Sequence, residues 1–268
     1  MESGHIGAGH NLTQNMMNDT TIRRPVQWLS ASETHVGTVR KVNEDAVFSK
    51  PGIHLWAVAD GMGGHEAGNV ASAMIINMLD DIEIESHLDA FVSNIENKVL
   101  DANKRLLEYS EIMLEGRIIG STVAIFLIKG RVGVCLWAGD SRLYRYRNGR
   151  TEKITTDHSH VAELLERGVI SDEEAENHPE SNVITRAVGT CEDLYIDIEI
   201  FTVNLGDTFM LCTDGLYNTI DEKSIVSCLQ EDSIKTAASL LIENALDKGA
   251  SDNVSVVLVK GVRGAPTP

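Results

Sequence analysis

Short apolar segments separated by turns dominate the pattern of hydrophobic and polar positions along the chain. β-Branched or alternating segments of this kind are typical of strands. They predict strands at residues 26–36, 46–48, 53–59, 121–128, 132–138, 143–147, 195–203, 208–212 and 254–260. Asn148-Gly149 is a strong hairpin signal. Short strands joined by tight turns must be antiparallel, because a parallel return needs a longer crossover.

Helices are predicted where apolar residues recur every three or four positions, at 66–79, 91–107, 224–229 and 234–246. A polar segment over 155–188 contains two shorter helical patterns, at 161–167 and 171–176. Strands and helices therefore occur in separate groups along the chain. This order favours an α+β fold in which two packed antiparallel sheets are flanked by helices.

The length of 268 residues and the 43% hydrophobic content favour one large folded domain, which we place at 25–261. Residues 1–24 lack apolar periodicity and are predicted to be a disordered tail, and 262–268 a flexible one. Neither a signal peptide nor a membrane-spanning segment is recognisable. The four cysteines are widely spaced, and three lie in apolar segments as reduced core residues. We expect a cytoplasmic protein without an attached sensor, kinase or membrane anchor.

The formal net charge of −17 and the absence of a basic stripe argue against nucleic-acid binding. Acidity by itself usually serves solubility. Bound cations would neutralise part of this charge.

Acidic residues stand at or beside the ends of apolar segments in five places. The sequence Val58 to His65, VADGMGGH, places Asp60 directly after one predicted strand. The other four places are Glu44-Asp45, Asp140, Asp214 and Asp252. If these ends gather on one edge, the carboxylates repel one another unless cations lie between them. Oxygen ligands suit Mg²⁺ and Mn²⁺, and no His or Cys spacing favours zinc. Two such ions could promote in-line displacement at phosphorus.

Each acidic residue also has a simpler interpretation. Asp207 fits an ordinary turn, and Asp157 and Asp193 fit loop caps. Taken one at a time, Asp60, Asp214 and Asp252 fit turns about as well as metal ligands.

Arg40 and His65 each have two interpretations as well. Arg40 either grips a phosphate or pairs with a nearby acid. His65 is either a general acid or a cap of the following helix.

Eight short motifs resemble those of the metal-dependent serine/threonine protein phosphatases, the protein phosphatase 2C (PPM) family, in its compact bacterial form. They follow the family's order and spacing over about residues 30–259. The motifs are RKVNED (40–45), ADGMGGH (59–65), GST (120–122), AGDSR (138–142), TDHS (156–159), ITRAVG (184–189), CTDGL (212–216) and SDNVS (251–255). The resemblance implies a four-layer α-β-β-α sandwich.

The resemblance also implies a site with two Mn²⁺ or Mg²⁺ ions and a weaker third. A hydroxide bridging the two ions would attack phosphoserine or phosphothreonine directly, with no phosphoenzyme. Asp60 would bridge the ions, helped by the Gly61 carbonyl, Asp214 and Asp252. Glu44 and Asp45 would lie in or beside this shell of metal ligands, largely through metal-bound water. Asp140 with Asp214 would help to hold the third ion, and Arg40 would grip the phosphate.

Two features qualify this assignment. Met62 stands where animal relatives have the histidine proposed as general acid, so either His65 or a metal-bound water would have to act. Residues 157–186 match the segment of bacterial members called the flap, which we expect to affect substrate choice and mobility.

The sequence therefore predicts a monomeric protein serine/threonine phosphatase that opposes a separately encoded kinase. Its partners would be phosphorylated proteins, including that kinase or its targets, among them regulatory or secretion-system proteins. One alternative is a catalytically inactive binding module with the same fold. A two-metal nuclease is a third hypothesis, which the net charge disfavours.

Overall fold

The computed structural model describes residues 26–63, 67–176, 178–180 and 183–264. The tail predicted at 1–24 and most of the tail predicted at 262–268 lie outside these residues. His65 also lies outside them.

Eleven strands form within the described residues. They are β1 (Val26–His35), β2 (Asp45–Lys50), β3 (Leu55–Gly63), β4 (Ile119–Ser121), β5 (Val123–Lys129), β6 (Val132–Ala138), β7 (Arg142–Arg147), β8 (Arg150–Lys153), β9 (Asp197–Thr202), β10 (Thr208–Cys212) and β11 (Val254–Arg263).

Seven α-helices complete the described part of the chain. They are α1 (Ala67–Asp80), α2 (Leu88–Met113), α3 (His160–Glu166), α4 (Asp172–Glu176), α5 (Asp214–Tyr217), α6 (Glu222–Leu229) and α7 (Ile234–Asp247). A single 3₁₀ turn, Pro51–Ile53, precedes β3. No helix in these ranges is both long enough and apolar enough to cross a bilayer.

The strands form two antiparallel sheets, as predicted. One sheet has the order β1-β11-β10-β7-β8, and the other has the order β2-β3-β5-β6-β9 with β4 paired to β3. Asn148 and Gly149 have positive φ angles of 53° and 79° and form the predicted hairpin turn between β7 and β8. Every pair of neighbouring strands in the two sheets is antiparallel, and the tight-turn argument applies to the hairpins β5–β6 and β7–β8. Other neighbours, such as β10 and β11, are connected through helices.

Three apolar clusters give the molecule four layers. The cluster between the sheets contains Trp56, Phe126 and Phe209, all fully buried. A second cluster packs α1 and α2 on the sheet of β3. A third packs α5, α6 and α7 on the sheet of β10. The α-β-β-α fold class is thus confirmed.

Several predicted boundaries are wrong in detail. β3 does not end at Asp60 in a glycine turn but continues to Gly63, because Gly61 to Gly63 pair with β4. α2 is longer at both ends than the predicted 91–107, since the apolar residues of its last turn, Ile112 and Met113, are exposed and do not continue the buried stripe. β11 pairs with β1 as far as Arg263, three residues beyond the predicted strand end at 260.

The structure also tests the sequence interpretations of Asp207 and of the cysteines. Asp207 is more than a turn residue, since its buried carboxylate accepts two hydrogen bonds of 2.6 Å from Arg147. All four cysteines are free thiols, and Cys135, Cys212 and Cys228 are buried as expected.

Candidate metal centre

The predicted carboxylates come from both sheets and gather at one edge. Asp45 and Asp60 lie directly opposite each other in the β2–β3 register. Asp140 follows β6, Asp214 opens α5 just after β10, and Asp252 lies two residues before β11. Like charges placed opposite each other on neighbouring strands are destabilising. The fold alone does not require carboxylates at these facing positions, so this edge is a candidate functional site.

Asp60 is the most strongly perturbed of these acids. Its side chain retains some solvent contact, yet the surrounding protein desolvates it, and burial is the largest cause of its raised pKa. The charges of Asp45, Asp214, Asp140 and Asp252 raise that pKa further, in this order. The carboxylates therefore act on one another as a single electrostatic group centred on Asp60.

Asp45 is 8% exposed, and its two oxygens have different surroundings. Oδ2 accepts hydrogen bonds from Thr213 Oγ1 at 2.8 Å and Ser255 Oγ at 2.7 Å. Oδ1 is buried and has no hydrogen-bond partner. Burial raises the pKa of Asp45 to about 6 despite the two hydroxyl donors. An unpartnered buried carboxylate oxygen is costly, and a cation would satisfy it.

Asp140 and Asp214 show the same behaviour. Burial, followed by the charges of Asp214 and Asp157, raises the pKa of Asp140 to about 7. Burial, followed by the charges of Asp252 and Asp45, raises the pKa of Asp214 to about 6. Both groups therefore hold protons more tightly than an exposed aspartate does, and bound positive charge would favour their ionised forms.

The backbone is packed so closely around the acids that only glycine fits at key positions. A Cβ on Gly61 would lie 2.0 Å from the carbonyl oxygen of Gly68 and 2.7 Å from that of Glu44. The first turn of α1 then holds Glu44, since Gly68 N donates to its Oε1 at 3.1 Å and Ser72 Oγ to its carbonyl at 2.6 Å. Glycine at 61 thus lets β2, β3 and α1 meet at the site.

Asn253 fixes the loop that carries Arg40 and Glu44. Its Oδ1 accepts from Glu44 N at 2.8 Å, and its Nδ2 donates to the carbonyls of Val36 and Val42 at 2.9 and 3.0 Å. One buried amide therefore sets the loop against the start of β11.

Arg40 donates from Nη2 to Asp252 Oδ2 at 2.8 Å, and its side chain is 53% exposed. The simpler alternative, pairing with a nearby acid, thus describes the contact in this structure. The guanidinium still lies at the rim of the acidic edge, where an incoming phosphate would meet it. Its role as a phosphate ligand stays a prediction.

The residues fit hard divalent cations by their chemistry. The donors are carboxylate and carbonyl oxygens, which Mg²⁺ and Mn²⁺ prefer. Within the described ranges, no three His, Cys, Asp or Glu side chains stand in a ready-made coordination geometry. The fit therefore rests on the shared electrostatics of the acids and on the unpartnered Asp45 Oδ1. A cavity of about 610 Å³ between α1 and α2 contains none of these carboxylates.

The structure thus brings Glu44, Asp45, Asp60, Asp140, Asp214 and Asp252 together with Arg40 beside them. Sequence reasoning gave no role to Thr213, Tyr217, Asn253 or Ser255. Two of these lie in the quoted SDNVS motif, which was the available signal. Thr213 lies in the quoted CTDGL motif, whereas Tyr217, directly after that motif, had no local signal because its partner Asp140 is far away in the chain.

Comparison with known proteins gives consistent results. The sequence profile described as "Protein phosphatase 2C" matches residues 34–246. The serine/threonine phosphatase stp of Listeria welshimeri is 36% identical over 236 residues, covering 85% of this chain and 93% of that protein.

Solved structures agree in fold as well. PppA of Pseudomonas aeruginosa, described as a key regulatory component of T6SS, is 40% identical with a TM-score of 0.81, over 87% of this chain and 97% of that one. The catalytic domain of the serine/threonine protein phosphatase PstP, in complex with two manganese ions, is 33% identical with a TM-score of 0.78. That match covers 88% of this chain and 99% of the PstP chain.

Proposed function

Because the chain belongs to the protein phosphatase 2C family and is a metal-dependent serine/threonine protein phosphatase, we propose that it uses two Mn²⁺ or Mg²⁺ ions held at the acidic edge. One observation carries this proposal. The charges of Asp45, Asp140 and Asp214 raise the pKa of Asp60, already raised by burial, at a place where one buried carboxylate oxygen, Oδ1 of Asp45, has no partner. Bound cations remove both penalties.

Each acid has a role in the proposed centre. Asp60, the Gly61 carbonyl, Asp214 and Asp252 would hold the two ions, with Asp60 shared between them. Glu44 and Asp45 would lie in or beside this group of ligands, and Asp140 with Asp214 would hold a weaker third ion. When bound, the ions lower the pKa of water so that hydroxide is available, and they neutralise phosphoryl charge.

Arg40 orients the phosphate in this proposal, and the buried thiols of Cys212 and Cys135 are unsuited to a covalent route. Arg40 can exchange Asp252 for a phosphate dianion, because its side chain is half-exposed and a guanidinium can donate two parallel hydrogen bonds to phosphate. Burial raises the pKa of the Cys212 thiol to about 12 and also raises that of Cys135. Neither thiol supplies a thiolate, in agreement with direct attack by hydroxide. His65 or water protonates the leaving alkoxide.

In the cell, the proposed role is to reverse phosphorylation by a separately encoded serine/threonine kinase. Its substrates are the kinase itself or that kinase's targets, including secretion-system regulators such as those implied by the similarity to PppA. We also propose that the protein acts as a monomer in the cytoplasm.

Hydrolysis of a phosphothreonine peptide by the purified full chain tests this function. The assay is run in EDTA, Mg²⁺ and Mn²⁺, with a phosphotyrosine peptide and single-stranded DNA as controls. The proposal expects metal-dependent release from phosphothreonine and little from either control. Folded protein that releases nothing with any metal would contradict the proposal and favour the inactive binding module.

A further inference from the structure

Tyr217 makes direct contact with Asp140, although no motif assigned it a role. It is the last residue of α5, which begins at Asp214. Its hydroxyl lies 3.1 Å from the Asp140 carbonyl oxygen and 3.3 Å from Asp140 Oδ2, and it donates to both. One phenol thereby fixes the backbone and the carboxylate of Asp140.

Arg142 holds the ring of Tyr217 in place. Its Cζ lies 3.4 Å from the centroid of that ring, a cation–π contact that fixes the ring plane. Arg142 is anchored in turn by Asp157, through hydrogen bonds of 2.6 to 3.1 Å. Its Nη1 also donates to the oxygen of Tyr144 at 2.8 Å. The Tyr217 ring is therefore clamped by a partly buried ion pair.

The same ion pair connects Asp140 to the flap. Asp157 is the first residue of the flap, and the next residue, His158, also contacts the segment around Asp140. Two hydrogen bonds of 3.0 Å join His158 to Gly139. The backbone N of His158 donates to the Gly139 carbonyl oxygen, and the backbone N of Gly139 donates to Nδ1 of the His158 imidazole. The chain on each side of Asp140 is thus tied to the start of the flap.

We infer that Tyr217 is a positioning residue that holds the Asp140 carboxylate for the weaker third ion, and that the Asp157–Arg142 pair links this carboxylate to the flap. The inference rests on the proposed function, since it presupposes the divalent ions. It adds a residue outside the ligand set and a physical connection between the flap and the metal edge. Partners that orient metal ligands typically change metal affinity 10- to 100-fold when removed.

Direct Mn²⁺ binding tests the inference without relying on turnover. Free Mn²⁺ is measured by electron paramagnetic resonance while the metal-free full chain is titrated. Tyr217→Phe removes only the hydroxyl and is expected to weaken the low-affinity class about tenfold, leaving the two tighter ions unchanged. Tyr144→Phe is the matched control, because Tyr144 shares Arg142 but does not contact Asp140. It should bind Mn²⁺ like the parent.

A second variant tests the connection to the flap. Asp157→Asn weakens the anchor of Arg142 and should also lower the affinity of the weak class. If the Asp157→Asn substitution acts through Tyr217, the double variant with Tyr217→Phe should bind the weak class of Mn²⁺ only slightly less tightly than either single variant. Substitutions within one hydrogen-bond network do not have additive effects. Full additivity would overturn this connection.

The possible failures are distinguishable. An unchanged weak class in folded Tyr217→Phe, or an equal loss in Tyr144→Phe, would overturn the positioning role alone. A parent protein that binds two Mn²⁺ ions and no weaker class would do the same. A parent protein that binds no Mn²⁺ would overturn the proposed function as well.

Discussion

Strand β3 passes from the centre of the apolar core to the acidic edge within a few residues. Trp56 and Val58 are fully buried between the sheets, where Trp56 stacks on Phe126 with a ring-centroid distance of 5.9 Å. Asp60, two residues further on, lies opposite Asp45. Burial stabilises a large apolar side chain by roughly 1.5–3 kcal/mol. The same burial makes a charged Asp60 unfavourable and raises its pKa.

The two regions thus respond in opposite ways to the same packing. The core between the sheets holds the layers together through contacts such as Phe126–Phe209, with centroids 4.6 Å apart. The acidic edge weakens the metal-free fold through repulsion among its carboxylates. A region that lowers stability and yet is built from buried side chains with defined partners is typical of a functional site. Changing one region at a time therefore separates stability from activity.

The largest expected effect on activity follows Asp60→Asn. Turnover should fall below detection, because the proposed bridging ligand is lost. The metal-free variant should be more stable than the metal-free parent at pH 7.5, since one repelling charge is removed. Phosphopeptide assays and thermal melts in EDTA check both outcomes. A folded variant that binds Mn²⁺ and turns over like the parent would remove Asp60 from the centre.

The largest expected effect on stability follows Phe126→Ala in the core between the sheets. The cavity should lower the free energy of unfolding by about 3–5 kcal/mol. Below the unfolding transition, Mn²⁺-dependent turnover should fall much less than in Asp60→Asn. Denaturant melts and activity at 10 °C measure the two quantities. Loss of activity without loss of stability would contradict the separation of the regions.

Stability of the metal-free protein should depend on pH through the acidic edge. Asp45 and Asp214 have pKa values of about 6 and Asp140 of about 7, above the usual value of 3.8. The folded state therefore binds protons more tightly than the unfolded state. With respect to these groups, its stability is greatest below about pH 4 and falls as the pH rises to about 7.

Thermal melts in EDTA between pH 5 and 8 measure this loss, and Mn²⁺ should reduce it. Asp140→Asn provides the internal control, because it should reduce the change of melting temperature with pH near pH 7, where Asp140 titrates. A melting temperature that rises steadily from pH 5 to 8 in EDTA would contradict the account of the edge.

Arg40→Ala should have the smallest effect of the four. Its ion pair with Asp252 is exposed, so stability should change by only about 0–1 kcal/mol. Loss of a charge-assisted contact to phosphate should raise KM by an amount equivalent to roughly 1.5–3 kcal/mol. Arg40→Lys, which keeps the charge without the planar fork, should recover part of the loss. Unchanged KM and kcat in Arg40→Ala would remove Arg40 from the site.

Elements with strong local patterns could be predicted from the sequence. The apolar segments that became β6 and β10 were placed at their observed boundaries, because each is bounded by turn residues. The four-residue helix α5 was missed, since so short a helix has no periodicity. The continuation of β3 to Gly63 depends on pairing with β4, which is distant in sequence.

The acids of the candidate site were predictable for a similar reason. Each stands at or next to the end of an apolar segment, and antiparallel strands bring such ends to a common edge. Asn253, Ser255 and Tyr217 could not be given roles, because their contacts depend on tertiary packing. Ser255, for example, bonds Asp45, which lies 210 residues earlier in the chain. Only the folded chain shows that these polar groups serve the carboxylates.

Anomalous diffraction at the manganese absorption edge, from crystals grown with Mn²⁺, tests the central claim most directly. The account predicts two strong peaks at the acidic edge, with Asp60 within ligand distance of both and Asp214 and Asp252 each contacting one. A weaker third peak beside Asp140 would agree with the role inferred for Tyr217. Well-ordered crystals with no peak within ligand distance of Asp60 would contradict the account.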